Sequence, residues 1–174
     1  MKYSEAIKKS MEMLAENEKT VFVGYNLGFG SRAYGSLRNV SKSKILETPV
    51  AENLMTGLCI GMSIEGYKPV LIFERHDFIL NALDGIVNHL DKIEELSNGG
   101  LIPRVIIRAV AGSLKPINPG PQHMQDFSKF FKDTFHFPVY DPQTAQEVLD
   151  DYHSAMDSEK SSMIIERRDL YERE

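Results

Sequence analysis

The sequence predicts an α/β domain of three layers, a mostly parallel sheet with helices on both faces. Segments with helical apolar spacing alternate with short apolar runs from residue 4 to residue 166, and the stretches that break this pattern, such as 25–44 and 111–123, follow apolar runs. Parallel strands need long crossovers, usually helices, and a sheet covered on both faces gives strands that are apolar throughout. At 174 residues the chain is long enough for one real core and short for two, so a single domain spanning 1–174 is expected.

Taken in order, Ala6, Ile7, Met11 and Leu14 mark a helix over 4–16 with Ser4 as its cap, and TVFVG at 20–24 is a strand. Residues 25–44, rich in Gly, Ser, Asn and Arg without a clean period, form a long loop. A short strand at 45–47 is punctuated by Thr48 and Pro49, after which Ala51, Leu54, Met55, Leu58, Cys59 and Met62 trace one helix face. KPVLIF at 68–73 is a buried strand, and Ile79, Ala82, Leu83, Ile86, Leu90 and Ile93 mark a second long helix ended by SNGG. PRVIIRAV at 103–110 is a strand and 111–123 a Gly/Pro loop; a helix near 125–133, a strand near 137–140, a helix at 143–156 and a strand at 162–166 complete the chain. Ligands bind such sheets off the carboxyl ends of the strands, where the loops 25–44 and 111–123 and the loop after Phe73 gather.

Composition excludes several classes. Twenty Lys and Arg against 25 Asp and Glu give a net charge of -5, which disfavours nucleic acid and anionic membranes, and RNVSKSK at 38–44 is a solvated loop. The single cysteine, Cys59, forbids an intramolecular disulfide, suits a reducing compartment and falls in a buried helix as a small core residue. The amino terminus is amphipathic and charged, unlike a signal peptide, and no run is long enough to span a bilayer, so the cytoplasm is expected. GFGSRA at 28–33 lacks the following apolar helix of a dinucleotide fingerprint, no phosphate-loop or serine-hydrolase signature occurs, and no histidines have metal-ligand spacing. Gly57 and Gly61 each cost a helix interior about 1 kcal/mol relative to alanine, which requires close packing, either within the domain or against a second chain.

Glu52, an acid near the start of a helix otherwise suited to burial, has a bland explanation in the helix macrodipole. A sharper one follows from its surroundings. The run from ETPVAENLMTGLCIG through FERHDFILNALDGIVNHL, followed by PRVIIRAVAG, PQHMQDF and MIIERRDLY, resembles the pyrimidine-binding domain of thiamine diphosphate enzymes. It is most similar to the beta subunit of the 2-oxo acid dehydrogenase decarboxylating component and more distantly to transketolase. The resemblance implies that Glu52 contacts the cofactor's aminopyrimidine at the ring nitrogen para to the amino group, favouring the imino form that deprotonates the thiazolium. It also implies that Phe78 stacks on the pyrimidine and that His123 faces the substrate.

Departures from the family pattern carry their own expectations. Asn26 stands where relatives commonly carry an acid, and ERHDF replaces an apolar and aromatic run, with Glu74 and His76 facing the cofactor. Ser158 and Lys160 occupy a turn where acid or amide ligands would hold potassium, so that ion is not expected. The chain stops where the beta subunit would continue, and it lacks the Gly-Asp-Gly…Asn signature that holds the diphosphate through magnesium. The resemblance therefore implies a separate diphosphate-binding subunit that supplies Mg2+, a homodimer or heterotetramer, and a small 2-oxo acid or ketose substrate. The alternative is a non-catalytic regulatory subunit that keeps the fold and interface.

Overall fold

The computed structural model describes residues 1–112, 114 and 118–174, so part of the predicted 111–123 loop, residues 113 and 115–117, lies outside the described residues. The strands are β1 (Thr20–Gly24), β2 (Ile45–Glu47), β3 (Lys68–Phe73), β4 (Ile106–Ala111), β5 (Val139–Tyr140) and β6 (Ser162–Arg167). The helices are α1 (Tyr3–Glu16), α2 (Glu52–Ile64), α3 (Ile93–Leu96), α4 (Ser128–Thr134) and α5 (Ala145–Asp157). The strands form one six-stranded sheet in the order β2-β1-β3-β4-β6-β5 with every pairing parallel, so the predicted class holds. No described helix is long and apolar enough to cross a membrane.

Alternate strand residues point to opposite faces, which splits the core in two. Phe22, Val70, Ile72, Ile106 and Ile164 pack with Met11 of α1 and Val148 of α5. Val23, Leu71, Phe73, Ile107 and Ile165 pack with Met55 of α2 and Phe131 of α4 on the other face.

Two local expectations are corrected, and one open alternative is narrowed. Ser4 is not the cap of α1, because the helix begins at Tyr3 and the Glu5 carboxylate accepts the Lys2 backbone N–H at 3.0 Å. The buried face of α2 is Glu52, Met55, Thr56, Cys59, Ile60 and Ser63, while Leu54 and Leu58 are exposed. Apolar residues lie on both sides of this helix, so periodicity could not tell which side faces the sheet. A Cβ at Gly57 or Gly61 would meet nothing within 4 Å, so packing inside the domain does not offset their cost.

The second long helix is not a regular one. It runs as a 3-10 segment over His76–Ala82 and π turns over Asp84–Leu90 before α3. Ile79, Ala82, Ile86 and Leu90 are buried as expected, so the apolar spacing found the face and missed the winding. The segment is pressed against α2 at Gly85, where a Cβ would lie 3.0 Å from Asn53 Oδ1 and Thr56 Cγ2. π turns inside helices are frequent at functional sites.

β4 carries a fully buried arginine into the face shared with α1 and α5. Arg108 Nε and Nη2 donate to Glu166 Oε1 and Oε2 at 2.8 and 2.9 Å, and Nη1 donates to Ser36 Oγ at 2.7 Å. The Tyr152 and Tyr171 hydroxyls donate to Glu166 at 2.7 and 2.8 Å. Burial and the neighbouring carboxylate push both tyrosines well above their usual titration range. Removing one partner of a buried pair leaves a charge without solvent or counter-charge, at a cost of about 3–5 kcal/mol. Glu166→Gln is expected to lose about that much in urea unfolding. A loss below about 1 kcal/mol for Glu166→Gln contradicts this account of the pair.

Candidate functional site

In a parallel sheet ordered 2-1-3-4, the crossovers change direction between β1 and β3, and the crevice beyond their carboxyl ends is the usual ligand site. Here that crevice is bordered by Tyr25 and Asn26 after β1 and by the charged tetrapeptide 74–77 after β3. The Tyr25 hydroxyl donates to the Glu74 carbonyl at 3.4 Å, joining the two strand ends. Burial and the Glu52 and Glu74 carboxylates raise the Tyr25 pKa, which keeps its proton on the oxygen.

Asn26 is exposed and has φ 58, a left-handed conformation that asparagine adopts more readily than most residues. Its N–H and those of Leu27 and Gly28 donate to the Glu47 carboxylate at 2.6, 2.9 and 2.7 Å, so the turn is wrapped around the last residue of β2. Further along, Arg32, Ala33 and Tyr34 have φ of 49, 52 and 56, a left-handed turn that costs roughly 1–2 kcal/mol per residue. Burial of Ala33 and two bonds from the Arg32 guanidinium to the Arg38 and Val40 carbonyls offset part of that cost. The turn sets Ser31 beside Glu74 and Tyr34 beside Arg75.

Glu52 opens α2 and is only 6% exposed. Asn81 Nδ2 donates to its Oε2 at 3.4 Å, and Oε1 receives no hydrogen bond from the described residues. Phe78 is half-buried, and its ring meets the His123 imidazole edge-on with centroids 5.0 Å apart. His123 Nδ1 and Thr48 Oγ1 are buried without a partner among the described residues. His123 reaches this position because its carbonyl oxygen crosses Gly112 at the end of β4, where a Cβ would overlap it.

His76 is placed differently from expectation. It is wholly buried, its ring lies edge-on to Phe127 and Phe131 with centroids 5.9 Å away, and Nε2 accepts the Phe127 N–H at 3.3 Å. The structure thus joins Phe78 with His123 and links Glu52 to the same segment through Asn81, while His76 is enclosed beneath the 123–127 loop. Asn81, Tyr25 and Gly112 were missed from sequence. For Asn81 a signal existed, since residues three apart on a helical turn share a face and Asn81 follows Phe78 by that spacing. A carboxyl with one oxygen unbonded among the described residues and a flat apolar ring suit a planar nitrogen heterocycle. Among the described residues no group of His, Cys, Asp and Glu is arranged to hold a metal ion.

Glu74 is the other acid at this edge. Burial pushes its pKa up from 4.5 to about 7, opposed by Arg108 and Ser31 and assisted by Glu166, and its Oε1 has no partner among the described residues. A carboxyl whose folded pKa lies above its unfolded value binds the extra proton in the native state, so stability falls as pH rises from about 4.5 to about 7. Glu74→Gln is expected to raise the Tm at pH 8 and to change it less at pH 5. An equal shift at both pH values, measured by calorimetry, contradicts the assigned titration.

No protein-family model matches the chain. Similarity to individual proteins runs through nearly all of it. The pyruvate dehydrogenase E1 component subunit beta of Saccharomyces cerevisiae, a mitochondrial protein, is 26% identical over 176 residues, covering 98% of this chain and 48% of that protein. The corresponding subunit of Rickettsia conorii is 23% identical, covering 96% and 52%. The chain therefore spans about half the length of the curated relatives it matches. Among solved structures, a split-gene transketolase described as an inactive beta4 tetramer superposes with a TM-score of 0.74 at 19% identity, covering 95% of this chain and 51% of that one. The fold is thus the one found in that transketolase chain, and the sequence is related to the pyruvate dehydrogenase E1 beta subunits, as the resemblance of its motifs to pyrimidine-binding domains led us to expect.

Proposed function

We propose that this chain is a single pyrimidine-binding domain serving as one subunit of a two-chain thiamine diphosphate enzyme, transketolase-like or acting on a 2-oxo acid. The observation that carries the proposal is Glu52, an acid enclosed at the crevice of the sheet with Oε2 engaged by Asn81 and Oε1 receiving no hydrogen bond from the described residues. Similarity to the E1 beta subunits supports it. When bound, the cofactor supplies an electron sink for breaking a bond beside a carbonyl carbon.

The chain's own residues bind, orient and move protons. An amide N–H can only donate, so Oε2 of Glu52 is the accepting oxygen, and Oε1 is the one that would be available to a bound pyrimidine. Phe78 offers a flat face, which contributes about 0.5–1.5 kcal/mol beyond burial when an aromatic ring packs on it. Asn26 contributes a neutral amide in place of an acid. His123, held edge-on to Phe78, takes or returns a proton of a small 2-oxo acid or ketose. His76 supports the loop rather than touching the cofactor.

Half of such a site lies elsewhere. A second chain holds the diphosphate through Mg2+, and the outer face of α2, with Leu54 and Ile64 exposed and Gly57 and Gly61 open, is where it packs. The assembly is a homodimer or heterotetramer in the cytoplasm.

Glu52→Gln keeps the shape and removes the acid. In the complex with the diphosphate-binding chain it is expected to lower turnover about 10²–10⁴-fold while co-elution of the two chains persists. Unchanged turnover excludes the acid's role. A complex that forms but has no thiamine-dependent activity in the wild type favours a regulatory subunit.

A further inference from the structure

Three consecutive polar side chains after β3 each grip the backbone of the loop that carries His123. Arg75 Nη1 donates to the His123 carbonyl at 3.4 Å, Asp77 Oδ1 accepts the Gln125 N–H at 3.0 Å, and His76 Nε2 accepts the Phe127 N–H at 3.3 Å. The bonds fall on alternate residues of the loop, so it is held at both ends and in the middle. From the other side, Gly112 admits the His123 carbonyl. Asp126, between two gripped residues, is itself fixed by Arg167 Nη1 at 2.6 Å.

We propose that Arg75, His76 and Asp77 are positioning residues that clamp His123 against Phe78, and that the clamp opens when His76 takes up a proton. Because Nε2 accepts from Phe127, the neutral ring carries its proton on Nδ1, which is buried without a partner among the described residues. A second proton on Nε2 would set N–H against N–H. The charged groups facing His76 are Asp77 on its own segment, Asp126 on the loop and Arg167 at the end of β6; α4 presents the Phe131 ring. Burial holds the imidazole below its usual 6.5 and Arg167 acts the same way, against Asp77, Asp126 and the Gln125 backbone. The loop therefore stays gripped at neutral pH and loosens in acid.

The sign follows from proton linkage. A histidine with a depressed folded pKa contributes stability that is complete above 6.5 and is lost as pH falls toward the folded value.

The test is amide hydrogen exchange on the full chain, read by NMR as protection factors. Asp77→Ala is expected to speed exchange at Gln125 by about tenfold, whereas Asp77→Asn, which keeps an accepting oxygen, restores protection. Protection at Phe127 is expected to fall by about tenfold in the wild type as pH drops below 6.5, with β4 amides unaffected, and to become independent of pH in His76→Gln. Unchanged protection at Gln125 in Asp77→Ala, or a pH-independent Phe127 in the wild type, overturns the clamp. Its consequence for catalysis rests on the role proposed for His123. In the loaded complex Asp77→Ala should lower kcat more than it raises KM. Looser exchange with unaltered kcat upholds the clamp and removes His123 from the chemistry.

Discussion

The pairing of Arg108 with Glu166 constrains the whole carboxyl end of the sheet. Neither charge has water to turn to, so every donor and acceptor must be met by protein. Glu166 takes two N–H groups from β4 and hydroxyls from α5 and the C-terminal turn, and the remaining Arg108 nitrogen takes Ser36 from the long loop. Elements far apart in sequence are thereby fixed to one point. The same pair sets the field around Glu74, where the arginine lowers and the glutamate raises its affinity for a proton.

From that fixed edge the candidate site is built in steps of short reach. Tyr25 ties the end of β1 to Glu74, the residues after Glu74 tie the end of β3 to the 123–127 loop, and Asn81 ties the same segment to Glu52. The irregular winding from His76 to Leu90 is what makes this reach available, with Gly85 letting it lie against α2. α2 accordingly has two duties. Its inner face holds Met55 and Cys59 in the core, while its outer face exposes Leu54 and carries two glycines with open space above them among the described residues.

Strand positions were legible in the sequence because buried parallel strands are short, apolar and punctuated. KPVLIF became β3 residue for residue, and the class followed from the alternation of elements. Winding was not legible, because apolar spacing near three to four residues fits 3-10, α and π turns alike. The orientation of α2 was hidden for a related reason, since Leu54 and Leu58 are as apolar as the residues that are buried. At the site, the resemblance of motifs led to Glu52, Phe78 and His123, and the last two are found in contact. The work of His76 could not be read at all, because it depends on a backbone N–H fifty-one positions away that only the fold brings near.

The central claim is that this chain holds one half of a thiamine diphosphate site. Calorimetry with thiamine diphosphate and magnesium on this chain, on a diphosphate-binding partner and on their mixture tests it most directly. Heat of binding only for the mixture, weakened by about tenfold or more in Glu52→Ala, is the result predicted. A well-folded complex that binds no cofactor, or binding unaffected by loss of Glu52, contradicts it.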